Sequence, residues 1–268
     1  MPDPRPIGIF DSGIGGLTVA SAIHKLLPKE SLVYFGDTAH LPYGDKSPDS
    51  IKYYSIRISQ FLLKKQCKVI VIACNTASSF AYDTVVDFVD EAVPVINVID
   101  PLVEKVTSLK NISKVGVIGT KGTVKSGIYP KKINEKRPAV EVSSLATPLL
   151  VPMIEEGFFN NKISKAVISS YLDRPKLKNA DALILACTHY PLIRKEIEEI
   201  YKNEVPVFDS GEIVAHYLKN LLVRKKMLSD RSRPVHHFYV SDFTQSFEKT
   251  TELFFGKRIH LEQASIWK

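Results

Sequence analysis

VIVIACNT (residues 69–76) and ALILACTH (residues 182–189) are near copies of one another: a short apolar run, Ala-Cys, then polar residues. Each run is continuous rather than alternating, as expected of a strand covered on both faces of a parallel sheet. The two cysteines that close them, Cys74 and Cys187, stand 113 residues apart. Outward from this pair the likeness continues. VPVIN (93–97) matches VPVFD (205–209) at an offset of 112, and IGIFDS (7–12) matches VGVIGT (115–120) more loosely at 108. Three features in one order at nearly constant spacing predict two related halves.

A further apolar run, SLVYF (31–35), and segments suited to crossover helices, 50–65 and 164–172, complete an α/β pattern. The expectation is two pseudo-twofold-related α/β domains with largely parallel sheets, and with the active site in the cleft between them. Residues after Phe208 have no counterpart at the end of the first half. The helix expected over 211–223 and the strand HHFYVS (236–241) are therefore assigned back to it. The predicted domains are residues 1–97 with 211–268, and residues 98–210. RKKMLSDRSRP (224–234) reads as an exposed loop with no apolar face to bury.

Composition narrows the class of protein. With 44% hydrophobic and 24% charged residues over 268 positions, the chain can bury a core, which excludes a disordered or fibrous protein. The net charge of +7 comes from basic residues spread along the chain, with only short clusters at 131–132 and 224–226, so nucleic acid is not expected as the primary partner. Cys67, Cys74 and Cys187 form no CxxC pair, which argues against a disulfide framework and against a structural zinc site; no metal is expected. The start, MPDPRPIGIF, lacks a signal-peptide core, and no apolar run approaches the ~20 residues of a membrane span. A reducing cytoplasm, with no membrane association, is the expected setting.

Two equivalent thiols at the carboxyl ends of equivalent strands, where open parallel sheets place ligands, suit one kind of reaction well. Inverting a stereocentre requires a base on one face and an acid on the other, and a thiol–thiolate pair can exchange those roles. Cys67, in the lead-in to a strand, reads instead as a small hydrophobe. A free thiol of pKa ~8.5 needs help to ionise at neutral pH. Asn75-Thr76-Ala77-Ser78 and Thr188-His189-Tyr190-Pro191 both read as helix starts, whose dipoles favour thiolate and substrate carboxylate. His189 is the histidine best placed for proton traffic. FDSGIGGLT (10–18) follows a strand and opens a helix without being a nucleotide loop, so a carboxylate fits its glycines better than a pyrophosphate, and Asp11 reads as an acid/base assistant. The second FDSG (208–211) reads as a strand end and helix cap.

FDSGIGGLT, YFGDTAHLPYG (34–44), ACNTAS (73–78), VPMIEEG (151–157) and ACTHYP (186–191) together resemble the glutamate racemases, in their order and over essentially the whole chain. The resemblance implies cofactor-independent, two-base racemisation of glutamate, supplying D-glutamate for peptidoglycan. It implies Cys74 as the base toward D-glutamate and Cys187 toward L-glutamate, assisted by Asp11 and His189 respectively. Asp11, Ser12, Tyr43, Gly44, Asn75, Thr76, Thr188 and His189 would bind substrate, with Asp37 and Glu155 as further polar contributors. It also implies a homodimer. Three rival readings stay open: a two-cysteine racemase for aspartate or another amino acid, amide hydrolysis by Cys187 with His189, and a binding role for the positive charge.

Overall fold

A computed structural model describes residues 2–267. Eight strands precede the C-terminal stretch, seven of them on the apolar runs read from the sequence and β6 in addition: β1 Ile7–Asp11, β2 Leu32–Gly36, β3 Val69–Ile72, β4 Val95–Asn97, then β5 Lys114–Gly119, β6 Glu141–Ala146, β7 Ala182–Ala186 and β8 Val207–Phe208. Two more, β9 His236–Val240 and β10 Glu262–Gln263, come from the C-terminal stretch. They assemble into two sheets, ordered β10-β9-β2-β1-β3-β4 and β6-β5-β7-β8. Every strand pairing within them is parallel. The order β2-β1-β3-β4 recurs as β6-β5-β7-β8, so the likeness in sequence is a likeness in topology. β9 pairs with β2, which carries the last part of the chain back to the first sheet.

β1, β2, β3 and β7 are buried along their whole length, which is why they read as unbroken apolar runs. β6 was not legible in the same way. It is the edge of its sheet, its residues are partly or fully exposed, and EVSSLA has two serines where a central strand would hold β-branched side chains. Amphipathic helices cover the sheets. Helix Pro48–Lys64 shows how: Ser47 caps it by accepting from the Ser50 N–H, Pro48 fills the first turn, and Ile51, Ser55, Ile58, Ser59 and Leu62 form its buried stripe. Helix Ser210–Arg224 is capped by Asp209 as expected, and packs on helices Leu17–Leu26 and Ile99–Thr107.

Residues 224–234 correct one expectation. Most are exposed, but Met227 and Leu228 pack on the core and Ser229 is buried. The reason is the buried ammonium of Lys68, which needs an acceptor for each proton: it ion-pairs with Glu30 at 2.6 Å and donates to the carbonyls of Asp3 (2.7 Å) and Met227 (2.6 Å). Glu30 in turn accepts the Ser229 N–H at 2.8 Å. The loop is held because it completes this buried polar cluster.

Candidate active site

The carboxyl ends of both sheets open onto one cavity of about 270 Å³, a size suited to a small metabolite. Ser12 and Gly13 reach it from the end of β1, Cys74, Asn75 and Thr76 from β3, Thr120 and Lys121 from β5, and Cys187, Thr188 and His189 from β7. Tyr43 and Gly44 contribute from the long connection after β2, and Thr147 and Glu155 from the segment after β6. Thus each sheet supplies one cysteine to a common space.

Cys74 is the N-cap of helix Asn75–Phe88, where its sulfur accepts the Ala77 N–H at 3.4 Å and its thiol donates to Ser12 Oγ at 3.6 Å. The helix terminus alone would favour a thiolate. Burial outweighs it and, with the charge of Asp11 nearby, pushes the Cys74 thiol up to about 12. At rest this group therefore holds its proton. Asp11 lies just behind the cavity wall. One of its oxygens accepts the N–H groups of Gly13 and Gly16 at 3.1 Å, while the other faces the Thr188 hydroxyl at 3.5 Å. Burial holds its carboxyl above the usual range despite His189 and these N–H donors.

The Cys187 side is built differently. The expected helix start there is a single 3₁₀ turn, Tyr190–Ile193, before helix Arg194–Ile200 begins. Tyr190 is pinned by a 2.6 Å hydrogen bond between its hydroxyl and that of Thr147, and His189 sits at the N-cap, where its carbonyl accepts the Leu192 N–H at 3.2 Å while its side chain makes no capping bond. Its ring is free to serve the cavity: Nδ1 lies 3.7 Å from Cys187 Sγ and Nε2 3.0 Å from the Glu155 carboxylate. Burial works to lower the imidazole, but the bonds to Cys187 and Glu155 prevail and raise it to about 10. A protonated His189 between a sulfur and a carboxylate is thus the resting arrangement. Glu155 is the glutamate on the cavity, and Glu156 is exposed at the end of its helix.

Hydrogen-bond donors complete the site. Asn75 accepts the Tyr129 hydroxyl at 2.7 Å through its Oδ1, which leaves its buried Nδ2 with no protein partner and available to a ligand oxygen. Thr76 Oγ1 meets Thr120 Oγ1 at 2.9 Å and Thr123 Oγ1 at 3.1 Å across the two halves. Of the residues expected from sequence, Asp11 lies behind the wall and Asp37 lies beneath Tyr43, whose hydroxyl donates to it at 2.7 Å; the others line the cavity. Thr120, Lys121, Thr147 and Tyr190 also line it and were not expected. Thr120 could have been found, since the repeat aligns it with Ser12.

The model of the Asp/Glu/hydantoin racemase family matches residues 13–218 of this chain. Glutamate racemase of Geobacter metallireducens is 40% identical over 256 residues, covering 95% of this chain and 94% of that protein. Among solved structures, the chain is similar to glutamate racemase of Francisella tularensis in complex with D-glutamate, with a TM-score of 0.93, 40% identity and 99% of each chain covered. It is also similar to Escherichia coli glutamate racemase with L-glutamate and the activator UDP-MurNAc-ala, with a TM-score of 0.77 at 26% identity, covering 94% of this chain and 96% of that one.

Proposed function

The chain belongs to the Asp/Glu/hydantoin racemase family, on its glutamate racemase branch, and from that premise we propose that it interconverts L- and D-glutamate through Cys74 and Cys187 without a cofactor. The observation that carries this reading is one thiol from each sheet on a single cavity, with His189 Nδ1 3.7 Å from Cys187 Sγ and Ser12 Oγ 3.6 Å from Cys74 Sγ, the charge of Asp11 acting on Cys74 from behind the wall. In the D-to-L direction Asp11 receives the Cys74 proton, the Cys74 thiolate removes the α-proton, and the Cys187 thiol protonates the opposite face, which leaves a Cys187 thiolate beside the protonated His189 as the base for the return. The reverse direction exchanges these roles. The carbanion formed at Cα is stabilised by donors converging on the α-carboxylate, for which Asn75 Nδ2 and the hydroxyls of Ser12, Thr76 and Thr188 are placed.

Residues 1–97 with 211–268 and residues 98–210 act as the two bodies that close on glutamate, excluding water and aligning both sulfurs with the Cα–H axis. The E. coli relative bound to UDP-MurNAc-ala supports placing the product in peptidoglycan synthesis. Three free cysteines fit a reducing cytoplasm, and among the described residues no helix is long and apolar enough to cross a membrane. A homodimer belongs to the same reading.

The test is incubation of the purified protein, freed of pyridoxal phosphate, with L-glutamate in D₂O, alongside Cys74→Ala and Cys187→Ala. Racemisation with deuterium at Cα, abolished in both variants, is the expected result. Racemisation that survives either substitution would remove the two-base mechanism, and preference for aspartate would replace the substrate.

A further inference from the structure

We propose that Asp37 and Ser241 are positioning residues for glutamate, holding the turn of Tyr43 and Gly44 against the cavity from behind through the Tyr43 hydroxyl. The inference rests on the racemase reading and says which buried groups set the affinity of that site.

Asp37 is fully buried and faces away from the cavity, yet its carboxylate is saturated: Oδ2 accepts the Tyr43 hydroxyl at 2.7 Å, Oδ1 accepts the Ser241 hydroxyl at 2.8 Å, and His40 Nδ1 lies 3.0 Å from both oxygens. The phenol has one proton and that proton is committed to Asp37. Burial, and then the charge of Asp37, hold the phenol well above its usual range, so it stays a donor. Tyr43 therefore cannot donate to a substrate carboxylate through its hydroxyl. What this turn offers glutamate is the shape and backbone of Gly44, which closes on the other half so tightly that a Cβ there would lie 2.9 Å from Thr120 Cβ. The tether behind Tyr43 decides where that surface stands.

Ser241 belongs to the C-terminal return, and it fixes the same stretch a second time by accepting the Ala39 N–H at 2.9 Å. Next to it, Thr38 and Asp242 exchange a pair of hydrogen bonds. The other half repeats the device independently. Asp37 follows β2 and its N–H donates to the carbonyl of Asp11; Thr147 follows β6 and its N–H donates to the carbonyl of Gly119, the equivalent place. Thr147 holds the cavity residue Tyr190 by its hydroxyl, as Asp37 holds Tyr43. In both halves the residue after the second strand anchors a tyrosine of the cavity wall.

The experiment compares initial rates on L- and D-glutamate for the full chain, Tyr43→Phe, Asp37→Asn, Ser241→Ala, Ser241→Thr and the double variant Tyr43→Phe with Ser241→Ala. A positioning role raises KM for both enantiomers by about tenfold in Tyr43→Phe, Asp37→Asn and Ser241→Ala and changes kcat by less than about twofold, because these bonds run among Tyr43, Asp37 and Ser241, whereas the two sulfurs bond Ser12, Ala77 and His189. Ser241→Thr restores KM, and the double variant is no worse than its worse parent, since both substitutions cut one chain of bonds. Unchanged KM throughout, additive losses in the double variant, or a loss of kcat in one direction only would overturn the proposal; the last would make Asp37 a proton carrier. If Asp37→Asn does not fold, Ser241→Ala and its rescue decide alone. A wild-type chain inert to both enantiomers removes the racemase reading and this proposal with it, whereas an active wild type with unmoved KM removes the proposal alone.

Discussion

Cys67 and Cys74 are both buried, and burial pushes both thiols up to about 12, with Lys65 lowering Cys67 slightly and Asp11 raising Cys74 further. What separates them is surroundings: Cys67 sits among apolar side chains, while Cys74 faces a cavity with Ser12 beside its sulfur. The shared shift has a consequence for stability. Unfolded thiols ionise near 9, whereas the folded ones keep their protons until about 12, so the native state binds more protons throughout that window. Stability is full below pH 9 and is lost as pH rises through the window, at about 1.4 kcal/mol per pH unit for each thiol. Urea unfolding between pH 8 and 11 should therefore show Cys67→Ala with a shallower decline than wild type by about that slope, on top of a pH-independent loss from the smaller side chain. Parallel declines would show that Cys67 ionises as readily in the folded chain as in the unfolded one.

The elements around His189 set its ring more closely than its own turn does. Helix Leu17–Leu26 enters through Gly15, whose backbone lies so near the imidazole that a Cβ would stand 2.4 Å from Cε1 and 2.5 Å from Nδ1. Phe254, from helix Gln245–Phe255, meets the ring edge-on with centroids 5.1 Å apart. Gly15→Ala must displace the ring, and with it the Thr188 hydroxyl at 2.7 Å from the same Cβ, and a shift of ~1 Å at a reacting group can cost about 100-fold in rate. The expected outcome is a folded protein with kcat down by about that factor, and, on the proposed two-base mechanism, more in the direction that assigns Cys187 as the base. Gly13→Ala, whose Cβ would meet only Leu41 at 3.5 Å, should lose far less. Equal activities in the two variants would separate His189 from the chemistry. None of this closeness was legible in FDSGIGGLT, because a glycine that yields space to a residue 174 positions away leaves no local pattern. The buried strands were legible because burial on both faces imposes an apolar run. β6 was not, since an edge strand needs no such run, and Thr147, which follows it, went unseen for the same reason.

At the scale of the whole molecule, the two halves meet along a seam of hydroxyl contacts inside, with an exposed ion pair at its rim. Inside, the hydroxyls of Thr76, Thr120 and Thr123 and the Tyr129–Asn75 bond cross from one half to the other. At the mouth, Lys121 of the second half pairs with Asp45 of the first at 3.3 Å, both more than half exposed. A pair so exposed contributes at most about 1 kcal/mol, too little to hold the halves shut. Its importance lies in the field at the entrance: among the described residues Lys121 is the one lysine or arginine on the cavity wall, alongside the acidic Asp45 and Glu155, and the incoming substrate carries two carboxylates. Lys121→Met should lower kcat/KM for glutamate several-fold at low ionic strength, where exposed charges act over ~10 Å or more, and the difference should close near 1 M salt, where they act over ~3 Å. Asp45→Asn should act in the opposite sense, because it removes a negative charge and frees the ammonium. If instead Lys121→Met keeps the wild-type salt dependence, then capture is governed by the +7 charge spread over the whole surface, and the rim pair is only a contact between the halves.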